Sequence, residues 1–193
     1  MSAGGTVVPF PSRAAPAPTT HEDAHAPVPL DRERLRRRTW DAAATVPDPE
    51  IPAISIADLG VLRDARVRDD GGVEVDITPT YSGCPAMDMI AVNVEVALRE
   101  AGLPDPRVNL VLSPAWTTDW MTDAGRAALH AYGIAPPAKA ASRRVLFGMD
   151  DDVGCPRCGS AETDKISEFG STSCKSLWRC MACREPFDHF KCL

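Results

Sequence analysis

Cys155-Pro156-Arg157-Cys158 and Cys180-Met181-Ala182-Cys183, separated by residues 159–179, form a C-x2-C-x21-C-x2-C pattern that decides the C-terminal fold. Two residues between cysteines let a tight turn aim both thiolates at one ion. Two such turns supply the four sulfurs of a tetrahedral zinc shell. The segment 151–193 has too little apolar surface to fold on burial alone, and metal binding supplies the missing free energy. Redox or structural disulfides are the competing reading, but a thioredoxin-type C-x-x-C needs a strand–helix context and does not come doubled. Four sulfurs also accept iron, so zinc and iron both stay open.

Around the knuckles, residues 163–169, 176–179 and 187–190 read as short strands, with Gly170-Ser171-Thr172 as the turn between the first two. That is the pattern of a zinc ribbon, a small sheet pinned by one ion. Cys174 and Cys192 remain outside the four-sulfur set. They are bystander thiols, a disulfide, or additional ligands that would enlarge the site to a cluster, and His189 keeps a mixed shell open.

Upstream, residues 135–150 open rich in Ala and Pro and read as a linker to a larger module over 31–134. That module begins with a helix capped by Asp31 and ended by Pro47, because the residue before a proline is pushed out of helical geometry. Its run Arg36-Arg37-Arg38 reads as a solvated face or a contact for an acidic partner. Residues 61–68 and 73–77 read as a strand pair joined by Asp69-Asp70-Gly71-Gly72, with Val73, Val75 and Ile77 facing in. A helix follows Pro85, with a stripe of Ile90, Val94, Ala97 and Leu98 and a stop at Gly102. Val108, Leu110 and Leu112 alternate as a third strand, and a last helix is expected over 119–132, capped by Thr118 and stopped by Gly133. The fold class is therefore α/β (α+β): a small mixed sheet covered by helices, followed by a zinc-ribbon-like metal domain. Residues 1–30, dense in proline and poor in apolar side chains, read as a disordered leader that carries His21 and His25.

The 193 residues carry a net charge of −6, which argues against a nucleic-acid footprint. With 44% apolar residues a true core is available, yet no apolar run approaches a membrane span. Seven cysteines cannot all pair within one chain, so a reducing, cytoplasmic setting is expected.

Cys84 precedes Pro85 at an expected helix start, where free amides and the helix dipole favour a thiolate. It is a nucleophile or soft-metal ligand on one reading and a small buried cap on the other. The missing Gly-rich cradle and phosphate-holding Arg argue against a phosphatase. Asp48, Glu50 and Asp58 lie in a proline-stiffened loop, where they either join a transient iron site or cap turns. The stretch 113–121, with Trp116 and Trp120, reads as core packing or as a partner-binding patch.

Asp48-Pro49-Glu50-Ile51-Pro52, followed by Thr78-Pro79-Thr80-Tyr81-Ser82-Gly83-Cys84-Pro85, resembles the domain of SufT-related iron–sulfur assembly factors. Together with Cys155-Pro156-Arg157-Cys158 and the C-terminal Phe187-Asp188-His189-Phe190-Lys191-Cys192, the chain is similar over residues 31–193 to the PaaD family of ring-1,2-phenylacetyl-CoA epoxidase components. The resemblance implies an accessory role in aerobic phenylacetate breakdown, without catalytic activity of its own. It implies that Cys84 handles iron or an iron–sulfur cluster, with Asp48 and Glu50 as loop neighbours. The implied partners are the other epoxidase subunits, chiefly the reductase that carries flavin and an iron–sulfur cluster, with no role for nucleic acid or membrane. A structural or electron-transfer role within the epoxidase itself is the alternative.

Overall fold

The computed structural model describes residues 30–138 and 153–191. Residues 1–29 of the expected leader, most of the expected linker, and Cys192 lie outside the described residues.

Helix α1, Leu30–Ala44, stops short of Pro47 and carries Asp31 and Glu33 in its first turn, where the dipole favours them. Arg36, Arg37 and Arg38 lie on its solvent side, and Arg36 pairs with Glu33 at 2.8 Å. Strands β1 (Leu62–Val67) and β2 (Val73–Ile77) form the expected antiparallel hairpin, with Gly71 at φ 85° in its turn. Helix α2, Met87–Glu100, then crosses over, so β3 (Arg107–Leu110) lies parallel to β2 in a sheet ordered β1-β2-β3. Val73, Val75 and Ile77 are at most 1% exposed, and α1 packs against β1, β2 and α2. The opposite face is polar: Arg66 ion-pairs with Glu74 and Asp76, and Asn109 donates to both carboxylates.

Two expectations in this module need correction. The third strand ends at Leu110, and Leu110 and Leu112 are exposed, because β3 is an edge strand where alternation no longer implies burial. The last helix does not start at Asp119. Thr117 caps a single 3-10 turn, Thr118–Trp120; the chain then extends through Met121, and Thr122 caps α3, Asp123–Tyr132, by accepting from the Gly125 amide at 2.9 Å. Packing imposes the break. Met121 is buried, and Trp120 lies so close to Gly60 that a Cβ there would sit 2.7 Å from the tryptophan Cβ.

The loop between α1 and β1 is itself core, since Ile51, Ile54, Ile56 and Leu59 are at most 2% exposed. Helix α3 lies across it at Gly125, where a Cβ would come within 2.8 Å of the Asp58 carbonyl oxygen.

After Gly133, left-handed at φ 90° as its stop position requires, Ile134–Ala135 forms β4. Strand β4 pairs in parallel with β7 (Pro186–Phe190), which pairs with β6 (Lys175–Cys180) and so with β5 (Thr163–Ser167). The ribbon sheet is thus ordered β4-β7-β6-β5, and the chain leaving α3 contributes its first strand. The ribbon keeps a small core of Ala135, Val153, Cys155, Trp178, Cys180 and Phe187. Phe190 and Cys174 point the other way, into the core of the larger module, and the Phe190 ring lies 6.0 Å from that of Trp116.

Candidate functional site

The two knuckles have the same geometry. Cys155 N–H donates to the Ser160 carbonyl at 2.9 Å and Cys180 N–H to the Glu185 carbonyl at 3.0 Å. The residue after each second cysteine is left-handed, Gly159 at φ 76° and Arg184 at φ 65°. The four Sγ atoms of Cys155, Cys158, Cys180 and Cys183 lie within 4.8 Å of one another, with Cys155–Cys183 at 3.8 Å and Cys158–Cys180 at 3.6 Å. Zinc–sulfur bonds of about 2.3 Å set tetrahedral sulfurs about 3.8 Å apart, so the donors present fit zinc. Zinc held there would have every position filled by protein sulfur, which makes it structural and leaves no place for a substrate.

A second cluster forms where the ribbon meets the larger module. A small cavity is lined by Asp48, Glu50, Thr80, Cys84, Met87 and, from the ribbon, Cys174, among others. Asp48 accepts at one carboxylate oxygen from the amides of Glu50 (2.8 Å) and Ile51 (2.9 Å), which shapes the loop that presents Glu50. The Cys174 thiol lies 3.9 Å from Glu50 Oε2 and 3.0 Å from Thr172 Oγ1. Buried Lys175 lies 3.7 Å from Asp188 and is the cation whose field reaches Asp48, Glu50 and Cys174.

Burial is the main force on all four acidic groups. It pushes the Asp48 and Glu50 carboxyls up, and it likewise raises the Cys84 and Cys174 thiols, each further opposed by neighbouring negative charge. The dipole stabilisation expected at Cys84 is therefore opposed by burial. Helix α2 starts at Met87, leaving Cys84 upstream of its first turn, and the Ala86 amide offsets only part of the desolvation.

Other expected residues have structural places. Asp58 accepts from Ser55 Oγ (2.9 Å) and Thr122 Oγ1 (2.6 Å), tying the buried loop to α3. Trp116 is buried and donates to the Leu59 carbonyl at 3.1 Å, while the Arg63 guanidinium stacks 3.4 Å over the Trp120 ring. His189 sits edge-on to Trp178 and is not one of the four clustered ligands. Cys174 also lies outside that ribbon set, which corrects the expectation of an additional ribbon ligand, because its strand start faces the larger module. No local signal separates Cys174 from a spectator thiol; only the docking of the ribbon brings it to Cys84.

Residues 139–191 match the family described as the PaaD zinc beta ribbon domain, and residues 37–112 match the family described as iron–sulfur cluster assembly protein. A chain of Escherichia coli (strain K12), named for the D component of 1,2-phenylacetyl-CoA epoxidase, is 48% identical over 154 residues, covering 80% of this chain and 91% of that one. The Fe-S protein maturation auxiliary factor SufT of Staphylococcus aureus (strain USA300) is 40% identical over 83 residues, 42% of this chain and 93% of its own. The maturation auxiliary factor YitW of Bacillus subtilis (strain 168) is 35% identical over 100 residues, 50% of this chain and 95% of its own. Among the described residues no helix is long and apolar enough to cross a membrane. With an assembly module and a ribbon in one chain, and 48% identity over most of its length, the chain belongs to the PaaD family of phenylacetyl-CoA epoxidase components.

Proposed function

We propose that this chain is an accessory maturation factor of the phenylacetyl-CoA epoxidase system, in which Cys84 receives iron or an iron–sulfur cluster destined for a client protein. The client is the reductase that carries flavin and an iron–sulfur cluster. The observation that carries the reading is the cavity in which Cys84 shares a wall with Asp48 and Glu50, built from the loops that resemble assembly factors. A thiol beside carboxylates is a donor set for a thiophilic metal. Its half-buried position lets cargo enter and leave, whereas the ribbon's closed set of four sulfurs serves only to hold shape.

The test is co-expression of the reductase with wild-type protein or with Cys84→Ser, followed by measurement of reductase iron, sulfide and epoxidase activity. Loss of cluster occupancy with the variant supports the reading. Full occupancy and full activity would remove Cys84 from it. Brown purified protein with iron and sulfide in the ribbon would instead favour an electron-transfer role.

A further inference from the structure

Helix α2 carries an apolar row on the side that faces away from its own core. Met87, Ile90, Val94 and Leu98 form its buried side, and Met87 and Ile90 line the Cys84 cavity from there. Opposite them, at helical spacing, Met89, Val92 and Val96 are 54%, 54% and 44% exposed. A surface helix ordinarily turns polar side chains outward, so three large apolar groups in one outward row mark a contact surface.

The charges around that row indicate what covers it. The other exposed positions of α2 are Asp88 at its amino end and Arg99 and Glu100 at its carboxyl end. Asp88 and Arg99 are 11 residues apart, close to three turns at about 3.6 residues each, so they lie on one edge of the row. Two copies of α2 laid antiparallel about a twofold axis bring Asp88 of each against Arg99 of the other, whereas a parallel pairing sets like charges together. The antiparallel arrangement also carries Glu100, ill-placed at the carboxyl end of its own helix, to the amino end of the other copy, which has no side-chain cap. A bilayer fits poorly. Helices that lie on membranes flank their apolar face with Lys and Arg, and here two exposed acids flank it with one base.

We propose that this face of α2 is the docking surface for a second copy of this chain, with the two α2 helices packed antiparallel. Three half-exposed side chains per copy fall well short of the roughly 800 Å² per partner of a standard interface, so the dimer is weak and forms by mass action. The cavity beside Cys84 lies on the other side of the helix and is not part of the contact. The pairing is independent of the maturation reading.

The test is sedimentation velocity on full-length, zinc-loaded protein. The mass should move from one chain toward two over about a hundred-fold rise in protein concentration. Val92→Asp, a change at an exposed position, should stay a single chain throughout. Asp88→Arg or Arg99→Asp alone should weaken dimerisation about tenfold, since each change acts twice across a symmetric contact. The two together restore opposite charges and should return it to near wild type. Wild-type far-UV circular dichroism and zinc content in each variant show that the fold is kept. Peroxide oxidation of Met89, read by peptide mass, should slow as the dimer fills. A wild type that stays monomeric, a dimer that Val92→Asp leaves intact, or a double variant that does not recover each overturns the proposal. So does a Met89 already protected in dilute monomer, because another segment of the same chain would then cover the face.

Discussion

Phe190→Ala should separate the ribbon from the larger module without removing its zinc. Phe190 is 1% exposed and sits in the larger module's core with its ring 6.0 Å from Trp116. Truncating a buried Phe to Ala costs about 3–5 kcal/mol, which includes the cavity left behind. The loss falls on the docked state, because the ribbon's own core of Val153, Trp178 and Phe187 does not include Phe190. At about 1.4 kcal/mol per tenfold, the undocked population should rise roughly a hundred- to several-thousand-fold. The assay is alkylation of Cys84 and Cys174 at low reagent concentration, read site by site by peptide mass, with zinc measured in the same samples. Both thiols should label faster by at least two orders of magnitude while zinc stays near one per chain. Unchanged labelling would refute the docking argument, and zinc loss in step with labelling would show that ribbon and module open as one unit.

Further outcomes follow from the same contacts. Asp48→Ala should lower stability by roughly 1–3 kcal/mol in urea, because the buried Ile51 amide and the part-buried Glu50 amide lose their acceptor, whereas Asp48→Asn keeps an acceptor and should stay near wild type. Gly125→Ala should cost about 1–3 kcal/mol despite alanine's better helix propensity, since its Cβ would meet the Asp58 carbonyl at 2.8 Å; urea midpoints check this against an exposed-site control. Asn109 and Arg66 hold the Glu74 carboxyl, and Arg66 above all holds that of Asp76, below their ordinary values of 4.5 and 3.8. Their stabilisation is therefore present above those values and is lost as pH falls below them through the lowered folded-state values, so Asp76→Asn should flatten the acid limb of the stability curve relative to wild type. Asp48 and Glu50 act in the opposite sense, being raised by burial, so protonation on acidification relieves their penalty. A chelator should remove the ribbon zinc and, by releasing β6, expose Cys174 to alkylation; a protected Cys174 in zinc-free protein would contradict that coupling.

Local chemistry determined much of this protein directly from its sequence. The doubled C-x2-C spacing implied a closed four-sulfur site because chelation by a tight turn needs only neighbours in the chain, and Val73, Val75 and Ile77 announced their buried face by strict alternation. Gly133 marked a helix end because its left-handed geometry is a property of one residue. Tertiary structure alone decided the rest. The helix expected after Thr118 begins only after Thr122, a shift imposed by the burial of Met121 and the approach of Trp120 to Gly60. Burial of Cys84 by the surrounding module raises its thiol and opposes the dipole that its position in the chain suggested. The meeting of Cys174 with Glu50 joins residues 124 positions apart. Such a contact follows from the docking of Phe190 beside Trp116 and from strand β4 joining the ribbon sheet, and no pattern of neighbouring residues encodes it.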